Sequence, residues 1–427
     1  MGISSALYSG VSGLNTNSQA MSVIGNNLAN TNTVGFKGSR TVFSDLLSSS
    51  INGSGGSSQV GRGVGMSKVD QVFSQGTFES TESNLDVAIE GDGFFILKEA
   101  GNDTPFYSRA GAFRFDENGY LVNPEGYRVQ GKEFDTTDNT ILKPGDATDI
   151  HVAGTGLIQG LATSTMTLTT NLDASEPIIT AGFLYTDPTT YNYSSSAQVY
   201  DSLGNPHLLT TYFTKTGANA WAVNYSYERD IVPKPAAAPF TTVISGSLGA
   251  LAFDTDGILT APNPPTVPTP AALNWNNGSS TAEIIAITFD TTQFNSESVV
   301  ISQDQNGYGA GNLTGVEIDP DGIVVASYSN GVQTNIAQLV LGKFQNPNGL
   351  SLAGSNLYNE TTSSGPARTG LPGPELGKVF TNSLEQSNVD MGSEFVRMIT
   401  VQRGFQANSK IITTVDELLG ELINLKR

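Results

Sequence analysis

Residues 391–422 read MGSEFVRMITVQRGFQANSKIITTVDELLGEL, a stretch without proline in which apolar side chains return every three or four positions. Most steps alternate between four and three residues, the heptad spacing of an amphipathic helix that packs on another helix. One extra three-residue step, from Met398 to Val401, is a stammer that overwinds such packing locally. We call the repeating positions the C-terminal seam: Met391, Phe395, Met398, Val401, Phe405, Asn408, Ile412, Val415, Leu419 and Leu422.

The other end of the chain carries a matching stripe, the N-terminal seam. It consists of Leu7, Val11, Leu14, Met21 and Leu28, with Ser18 and Gly25 at the two remaining positions. Glycines at 10, 13 and 25 each cost about 1 kcal/mol relative to alanine, so this helix is expected to be weak alone. We expect the two terminal helices to lie side by side, bury each other's seams and pack against neighbouring copies of the chain.

The region between the two arms is predicted to be β-rich. All nineteen prolines fall between Pro105 and Pro374, and proline is not tolerated inside a helix. Short alternating runs such as Leu85, Val87 and Ile89 are separated by glycine-containing turns, which is typical of strands. The predicted fold class is therefore α+β and multidomain, with paired, coiled-coil-like terminal helices and nested, mainly antiparallel β domains in the middle.

Three segments of this middle region share an Asp-x-Asx-Gly pattern that starts at Asp116, Asp254 and Asp319. Aspartate closes a tight turn through its side chain, and glycine supplies the positive φ that such a turn requires. Calcium loops are the alternative, because EF-hands place acidic ligands at similar spacing. The other ligand positions of an EF-hand are not filled by suitable residues, so hairpin turns are preferred.

The composition argues against several classes of function. The chain has no cysteine, which excludes disulfides and thiolate metal sites, and its 40 acidic against 21 basic residues disfavour nucleic acid as a partner. The two histidines, His151 and His207, belong to no catalytic or zinc motif. We therefore predict no enzymatic activity, no metal and no cofactor. Neither a cleavable signal peptide nor a membrane-spanning run is expected from the sequence.

The two ends also carry motifs that resemble the signatures of the flagellar rod and hook family, the axial proteins of the bacterial flagellum. The N-terminal likeness lies in residues 25–40 and the C-terminal likeness in residues 398–427. The signature residues of the first are Asn26, Asn27, Leu28, Ala29, Asn30, Gly35, Phe36 and Lys37. Those of the second are Gln402, Arg403, Gly404, Phe405, Gln406, Ala407 and Asn408.

Internal segments narrow the resemblance towards the hook members of this family. Residues 85–96, 108–113 and 126–131 are similar to the β domain that rod and hook proteins share. Residues 199–227 and 253–259 are similar to an outer domain that rod proteins lack, and residues 307–349 to the return into the inner domain. The resemblance implies four nested parts: a helical assembly domain (1–32 with 384–427), a linker region (33–72 with 363–383), an inner β domain (73–155 with 311–362) and an outer β domain (156–310).

The same resemblance implies a function and a set of partners. It predicts a structural subunit of the flagellar hook that polymerises into a curved, hollow tube and transmits torque from rod to filament as a flexible joint. Implied partners are many copies of the chain itself, the distal rod protein, the hook cap, the hook-filament junction protein and the flagellar type III export apparatus. Neither nucleic acid nor membrane insertion is implied, and the expected location is extracellular. A distal rod protein, a secreted β-rich adhesin and a polysaccharide-active enzyme remain as alternatives.

The residues expected to carry self-assembly are apolar members of the two seams. They are Leu7, Val11, Leu14, Met21, Leu28, Phe395, Met398, Phe405, Ile412, Val415, Leu419 and Leu422.

Overall fold

The computed structural model describes residues 2–46, 49–53, 56–135, 141–152, 157–232, 239, 241–269 and 272–425. Within these ranges, the side chains of 2–4, 49–53, 56–60 and 422–425 are not described. The chain divides into two compact units. Unit 1 comprises residues 1–154, 316–326 and 334–427, and unit 2 comprises residues 155–315 and 327–333.

Unit 1 begins and ends with a long α-helix, as the seams predicted. Helix α1 spans Gly2–Ala29 and helix α2 spans Met391–Leu425. Asp390 starts α2 by accepting a hydrogen bond from the Ser393 backbone N–H at 2.6 Å, which satisfies a free helix N–H group. This hydrogen bond lowers the pKa of Asp390.

Between the helices, unit 1 is built from short strands. Those before the insertion of unit 2 are β1 Ser39–Asp45, β2 Ser49–Gly53, β3 Gly56–Val60, β4 Val64–Gln71, β5 Phe78–Ser80, β6 Val87–Glu90, β7 Phe94–Lys98, β8 Pro105–Ser108, β9 Arg114–Phe115, β10 Leu121–Val122, β11 Arg128–Glu133 and β12 Thr148–Asp149. Its main sheet also takes in three later strands, β25 (Gln333–Leu339), β27 (Ser351–Gly354) and β28 (Leu357–Asn359). The strand order is β25-β11-β7-β8-β28-β27, and every neighbouring pair in this run is antiparallel. Buried side chains including Phe95, Leu97, Leu339 and Leu341 form its core.

Unit 2 contains two sheets around one core. Its strands are β13 Leu157–Ile158, β14 Thr165–Asp173, β15 Tyr193–Tyr200, β16 Pro206–Gly217, β17 Ala220–Asp230, β18 Thr241–Phe253, β19 Leu259–Ala261, β20 Thr266–Pro268, β21 Ala286–Phe294 and β22 Val299–Gln305. A 3₁₀ turn spans Pro188–Thr190. One sheet is an antiparallel meander from β15 to β19, and the other has the order β20-β21-β14-β22, with β14 and β21 parallel. Trp221, Trp275, Phe213 and Phe289 are buried in the core.

The remaining strands close the fold. They are β23 Gly311–Ile318, β24 Ile323–Tyr328, β25 Gln333–Leu339, β26 Leu341–Lys343, β27 Ser351–Gly354, β28 Leu357–Asn359, β29 Arg368–Gly370, β30 Lys378–Thr381 and β31 Ser383–Glu385, with a 3₁₀ turn at Pro347–Gly349 before β27. Strands β30 and β31 pair with β6 and β5, so the segment before α2 is tied to strands that follow α1. The predicted α+β class is confirmed, whereas the division into four domains stays a prediction.

The three Asp-x-Asx-Gly segments form the predicted turns. Asp116, Asp254 and Asp319 each accept backbone N–H hydrogen bonds from the residues two and four positions later, at 2.8–2.9 Å. The glycine three positions after each aspartate has a φ between 75° and 84°. Asp201 and Gly204 build the same turn, which the sequence analysis did not single out.

Candidate assembly surface and the junction below it

Helices α1 and α2 pack antiparallel through small side chains. A methyl group at Gly13 would lie 2.6 Å from Asn408 Nδ2, and one at Gly404 would lie 3.2 Å from Asn17 Oδ1. Nearer the start of α1, a methyl group at Gly10 would lie 3.1 Å from Ile412 Cγ1. Two of the three glycines that weaken α1 as an isolated helix, Gly10 and Gly13, are therefore positions at which α2 approaches it closely.

The buried face of α1 is not the N-terminal seam, so the expectation that the seams bury each other is wrong for this helix. The buried positions are instead Gly10, Gly13, Thr16, Ala20, Ile24 and Asn27. Glycines let the helix backbones approach, and strand β4 covers an adjacent part of α1, where Ser12 Oγ accepts from Val64 N–H at 3.3 Å. The N-terminal seam therefore lies beside the line of closest contact between α1 and α2. Four of its apolar members are half-buried, and Val11 is 48% exposed.

The C-terminal seam is covered only in part. Val415 is buried, and Met398 and Ile412 are half-buried. Phe395, Phe405 and Leu419 are exposed. Leu422 lies in α2 beyond the side chains that the structure describes, so the structure says nothing of its surroundings.

Further exposed apolar side chains lie on α1 and α2 outside the seams. Val396 is 65% exposed and Ile399 is 51% exposed, and Ile411 and Leu418 are exposed too, as is Tyr8 on α1. A helix that is apolar around most of its circumference needs cover on several sides. These residues lie outside the single stripe that the heptad spacing predicts, so the sequence did not indicate them. The signal that could have found them is the apolar residue next to a seam position, as Val396 follows Phe395.

A second exposed apolar surface lies on the β1–β4 hairpin, which contacts α1. Phe43 pairs across the strands with Met66, and Thr41 pairs with Val69. Phe43, Met66 and Val69 are all exposed. From the sequence, this hairpin was expected to be part of a linker region, and no role in assembly was predicted for these side chains.

The N-terminal signature builds a junction between α1 and the strands that follow it. Asn27 is buried and makes two hydrogen bonds with the backbone of Ser39, at 2.7 and 2.9 Å. Gly35 has a φ of +70°, and a methyl group there would lie 2.5 Å from the backbone nitrogen of Ala110. Asn30 donates to the backbone oxygen of Asn26 at 2.9 Å. Of the other signature residues, Leu28 and Phe36 are half-buried, and Asn26 and Ala29 are exposed.

Lys37 forms a buried ionic cluster below this junction with Glu385 and Arg109. Lys37 Nζ lies 2.6 Å from Glu385 Oε1, and Arg109 Nη1 lies 3.5 Å from Glu385 Oε2. The Lys37 and Glu385 side chains are 0% exposed. Burial lowers the pKa of Lys37, and the Glu385 carboxylate opposes this shift without cancelling it. Burial likewise lowers the pKa of Arg109 against the opposing effect of Glu385. The cluster joins the segment after α1, the segment before α2 and the loop after β8.

The C-terminal signature divides between two faces of α2. Gly404 and Asn408 face α1. The other five residues are exposed: Gln402, Arg403, Phe405, Gln406 and Ala407. Contacts inside the chain thus account for two of the seven signature positions.

The two histidines occupy different environments. His151 contacts the Tyr120 ring, and His207 stacks on Trp275 with ring centroids 3.9 Å apart. His207 Nε2 lies 3.0 Å from Asp201 Oδ2. Burial raises the pKa of Asp201, but hydrogen bonds from His207, Asn277 and Asn205 lower it more, to about 2. In the described part of the chain, His, Asp and Glu side chains form no group of three that could hold a metal ion.

No helix in the described ranges is both long and apolar enough to span a membrane.

Comparison with known families finds four matching regions. Residues 7–37 match the flagella basal body rod protein family and residues 88–160 the D1 domain of flagellar hook protein FlgE/F/G. Residues 171–308 match the D2 domain of flagellar basal body protein FlaE, and residues 381–425 match the C-terminal region of the flagellar basal body rod FlgEFG proteins.

Comparison with individual proteins gives matches along nearly the whole chain. The flagellar hook protein FlgE of Salmonella typhimurium is 36% identical over 419 residues, which cover 97% of this chain and 98% of that protein. The flagellar hook protein FlgE of Borreliella burgdorferi is 35% identical over 459 residues, with 99% of each chain covered. The crystal structure of Helicobacter pylori FlgE2 is similar in fold, with a TM-score of 0.51 at 14% identity, covering 73% of this chain and 99% of that one. The chain therefore belongs to the flagellar hook protein family.

Proposed function

We propose that this chain is a structural subunit of the bacterial flagellar hook and that its copies polymerise through the exposed apolar faces of α1 and α2. The observation that carries this proposal is the state of α2. Its one partner helix within the described chain covers one side, while Phe395, Val396 and Ile399 remain exposed on other sides. Removing apolar surface from water lowers the free energy by about 25 cal/mol per Å². Further copies of the helices that cover these side chains would therefore stabilise the arrangement.

The self-assembly residues fall into two groups under this proposal. Phe395, Phe405, Leu419 and Val11 contact neighbouring copies directly, because they are exposed in the single chain. The half-buried and buried members support the pairing of α1 with α2 and complete the assembly surface: Leu7, Leu14, Met21, Leu28, Met398, Ile412 and Val415. Leu422 continues the same seam. The exposed Phe43, Met66 and Val69 extend this surface onto the β1–β4 hairpin.

Unit 2 supplies a weaker kind of contact in this proposal. Between residues 156 and 310, twelve acidic residues stand against three Lys or Arg. Like-charged surfaces repel one another at low salt, and polar, hydrated contacts exchange readily. Strong helical contacts combined with exchangeable contacts of the acidic domain suit a curved, hollow tube that bends while it transmits torque. The division into a helical assembly domain, a linker, an inner β domain and an outer β domain is part of the same proposal.

The remaining parts of the role follow from family membership. We infer that the chain acts structurally, not catalytically. We infer further that it is exported to an extracellular position in the hook. Its proposed partners besides itself are the distal rod protein, the hook cap, the hook-filament junction protein and the type III export apparatus.

Replacing exposed apolar residues of α2 tests the proposal. Isoleucine and serine have similar helix propensities, so Ile399→Ser removes apolar surface with little effect on the helix itself. Burying one such side chain contributes about 1.5–3 kcal/mol, so the variant should raise the critical concentration for polymerisation at least about tenfold. The matched control is Ile301→Ser, which removes an isoleucine of unit 2 that is 67% exposed.

The critical concentration is measured by sedimentation of polymer from purified full-length chain. The critical concentration of the control should lie within about twofold of that of the natural sequence, since a single exposed substitution outside a tight contact changes stability little. Equal critical concentrations for Ile399→Ser and Ile301→Ser would contradict the assignment of α2 as the assembly surface. Deleting residues 156–310 should leave a polymer with altered shape in electron micrographs, and failure to polymerise would contradict the proposed division of contacts.

A further inference from the structure

Helices α1 and α2 carry the same five-residue pattern at the place where they cross. In α1 it is Gly13-Leu-Asn-Thr-Asn17, and in α2 it is Gly404-Phe-Gln-Ala-Asn408. Because the helices run antiparallel, the glycine of each pattern faces the asparagine of the other. The Asn408 amide occupies the space that a side chain at Gly13 would need, with its Cγ, Oδ1 and Nδ2 all 2.6–2.8 Å from a methyl group there.

The second half of the arrangement repeats the first with the helices exchanged. The Asn17 amide lies 3.2–3.5 Å from the position of a methyl group at Gly404. Asn17 is held in place because its Nδ2 donates to the Gly13 backbone oxygen at 2.8 Å. Each helix thus offers one gap and one amide that fills the gap of its partner.

Among registers within seven residues of the observed one, only the observed register satisfies both halves. If α2 slipped by seven residues, Gly13 would face Val401 and Asn17 would face Arg397. The gap at Gly13 would then meet the branched apolar side chain of Val401, and the Asn17 amide would meet the long, charged Arg397 side chain where it now meets a glycine. A polar residue at one seam position is known to specify register in helical packing.

We propose that Gly13, Asn17, Gly404 and Asn408 form a reciprocal lock that sets the antiparallel orientation and the register of α1 on α2. These are specificity-determining residues for the helix pair. The lock also fixes which apolar side chains of α2 remain available to other copies. That last consequence rests on the proposed function, whereas the lock itself is a property of the single chain.

The natural sequence has no cysteine, so introduced pairs can report the register without background. The in-register pair is Gly10→Cys with Ile412→Cys, since a methyl group at position 10 lies 3.1 Å from Ile412 Cγ1. The slipped pair is Gly10→Cys with Phe405→Cys, which would meet after a shift of seven residues. Both are oxidised in unassembled full-length chain, and the intramolecular disulfide is quantified as the single-chain product on non-reducing gels.

The lock predicts how these two yields respond to substitution. Gly13→Ala forces the Asn408 amide out of its place and should lower the ratio of in-register to slipped product at least about fivefold, in keeping with the cost of overpacking. Adding Asn408→Ala removes the displaced amide and should return the ratio to within about twofold of its starting value. The control is Gly25→Ala on the same helix, where a methyl group meets nothing within 4 Å. It should leave the ratio unchanged.

Two results would overturn the lock. One is that Gly13→Ala leaves the ratio of in-register to slipped product unchanged, as Gly25→Ala should. The other is a loss of in-register product that Asn408→Ala does not repair, because the contact would then not act through that amide. If the chain does not polymerise but the ratio of in-register to slipped product responds as predicted, the proposed function is rejected and the lock stands. The two failures are therefore distinguishable.

Discussion

Replacing Glu385 by glutamine should strongly destabilise unit 1, because Glu385 carries the one negative charge of the Lys37–Glu385–Arg109 cluster. Glu385 Oε1 accepts from Lys37 Nζ at 2.6 Å and from the Gly76 N–H at 2.9 Å. Loss of the Glu385 charge leaves two buried cations, Lys37 and Arg109, without a counter-charge in the cluster. Removing one partner of a buried ion pair costs about 3–5 kcal/mol, since the remaining charge cannot be solvated. We expect Glu385→Gln to lower the free energy of unfolding of unit 1 by this amount.

The same variant should show a distinctive dependence on pH. Burial already holds the pKa of Lys37 below its ordinary 10.5, and the Glu385 carboxylate raises it in part. Without that carboxylate the pKa in the folded state falls further. The folded chain then binds fewer protons than the unfolded chain in the window between the lowered pKa and 10.5. Stability therefore rises with pH through this window, and it should rise more steeply in Glu385→Gln than in the natural sequence.

Urea unfolding followed by two probes measures the effect. Both tryptophans, Trp221 and Trp275, lie in unit 2, so their fluorescence follows that unit. Both α-helices found in the described residues lie in unit 1, so helical circular dichroism follows unit 1. With an m value of about 3 kcal/mol/M, the circular dichroism midpoint should fall by roughly 1–1.7 M while the fluorescence midpoint stays in place.

The matched control removes the same charge from a surface pair. Glu375 pairs with Arg368, and both side chains are largely exposed. Such pairs contribute about 0–1 kcal/mol, so Glu375→Gln should leave both transitions nearly unchanged. If Glu385→Gln and Glu375→Gln shift the circular dichroism transition equally, the reasoning about the buried cluster is refuted.

Two further predictions concern other parts of the chain. Gly35→Ala should lower the unfolding free energy of unit 1 by more than about 2 kcal/mol, because a methyl group there would lie 2.5 Å from the Ala110 nitrogen as well as requiring a positive φ. Gly101→Ala, with a φ of +79° and nothing within 4 Å, should cost only about 1 kcal/mol, and equal costs in urea unfolding would contradict the argument. Because the pKa of Asp201 is lowered from 3.8 to about 2, its contribution to stability is present above pH 3.8 and lost as the pH falls through about 2. Asp201→Asn should flatten the acid dependence of unit 2 followed by tryptophan fluorescence, and an unchanged acid profile would show that another group is responsible.

Local patterns predicted much of the fold from the sequence. The heptad steps predicted both terminal helices, because the spacing of three and four residues is a local property of an amphipathic helix and does not depend on which partner the helix packs against. The turns at Asp116, Asp254 and Asp319 were predicted because aspartate and glycine act within five residues of each other. The related turn at Asp201 was missed because its third residue is Leu203. An Asx residue three positions before glycine would have been the better search pattern.

The packing of α1 on α2 could not be predicted from periodicity. A helix that is apolar on several sides has more than one possible seam, and the period does not say which one meets the partner. Gly10 and Gly13 were interpreted as weak points of α1. Their role becomes visible only when Ile412 and Asn408 are seen against them. Small residues at a helix crossing thus have a meaning that depends on the other helix.

The ionic cluster was beyond sequence reasoning for a different reason. Lys37 and Glu385 are 348 positions apart, and nothing near either residue indicates the other. Lys37 was recognised only as part of the N-terminal signature, and neither Glu385 nor Arg109 was singled out. The nested order of the chain makes this long-range pairing possible, because it brings the segments that flank α1 and α2 to the same part of unit 1.

Thiol labelling on both sides of assembly tests the central claim most directly. A cysteine introduced at Val396 or Ile399 is exposed in the single chain and should react rapidly with a maleimide. In the polymer its rate should fall at least about tenfold, because packed interfaces exclude solvent as protein interiors do. A cysteine at Thr255, in an exposed turn of unit 2, should change by less than about threefold. Equal labelling of α2 in single chains and in polymer would contradict the claim that its exposed apolar faces join the copies.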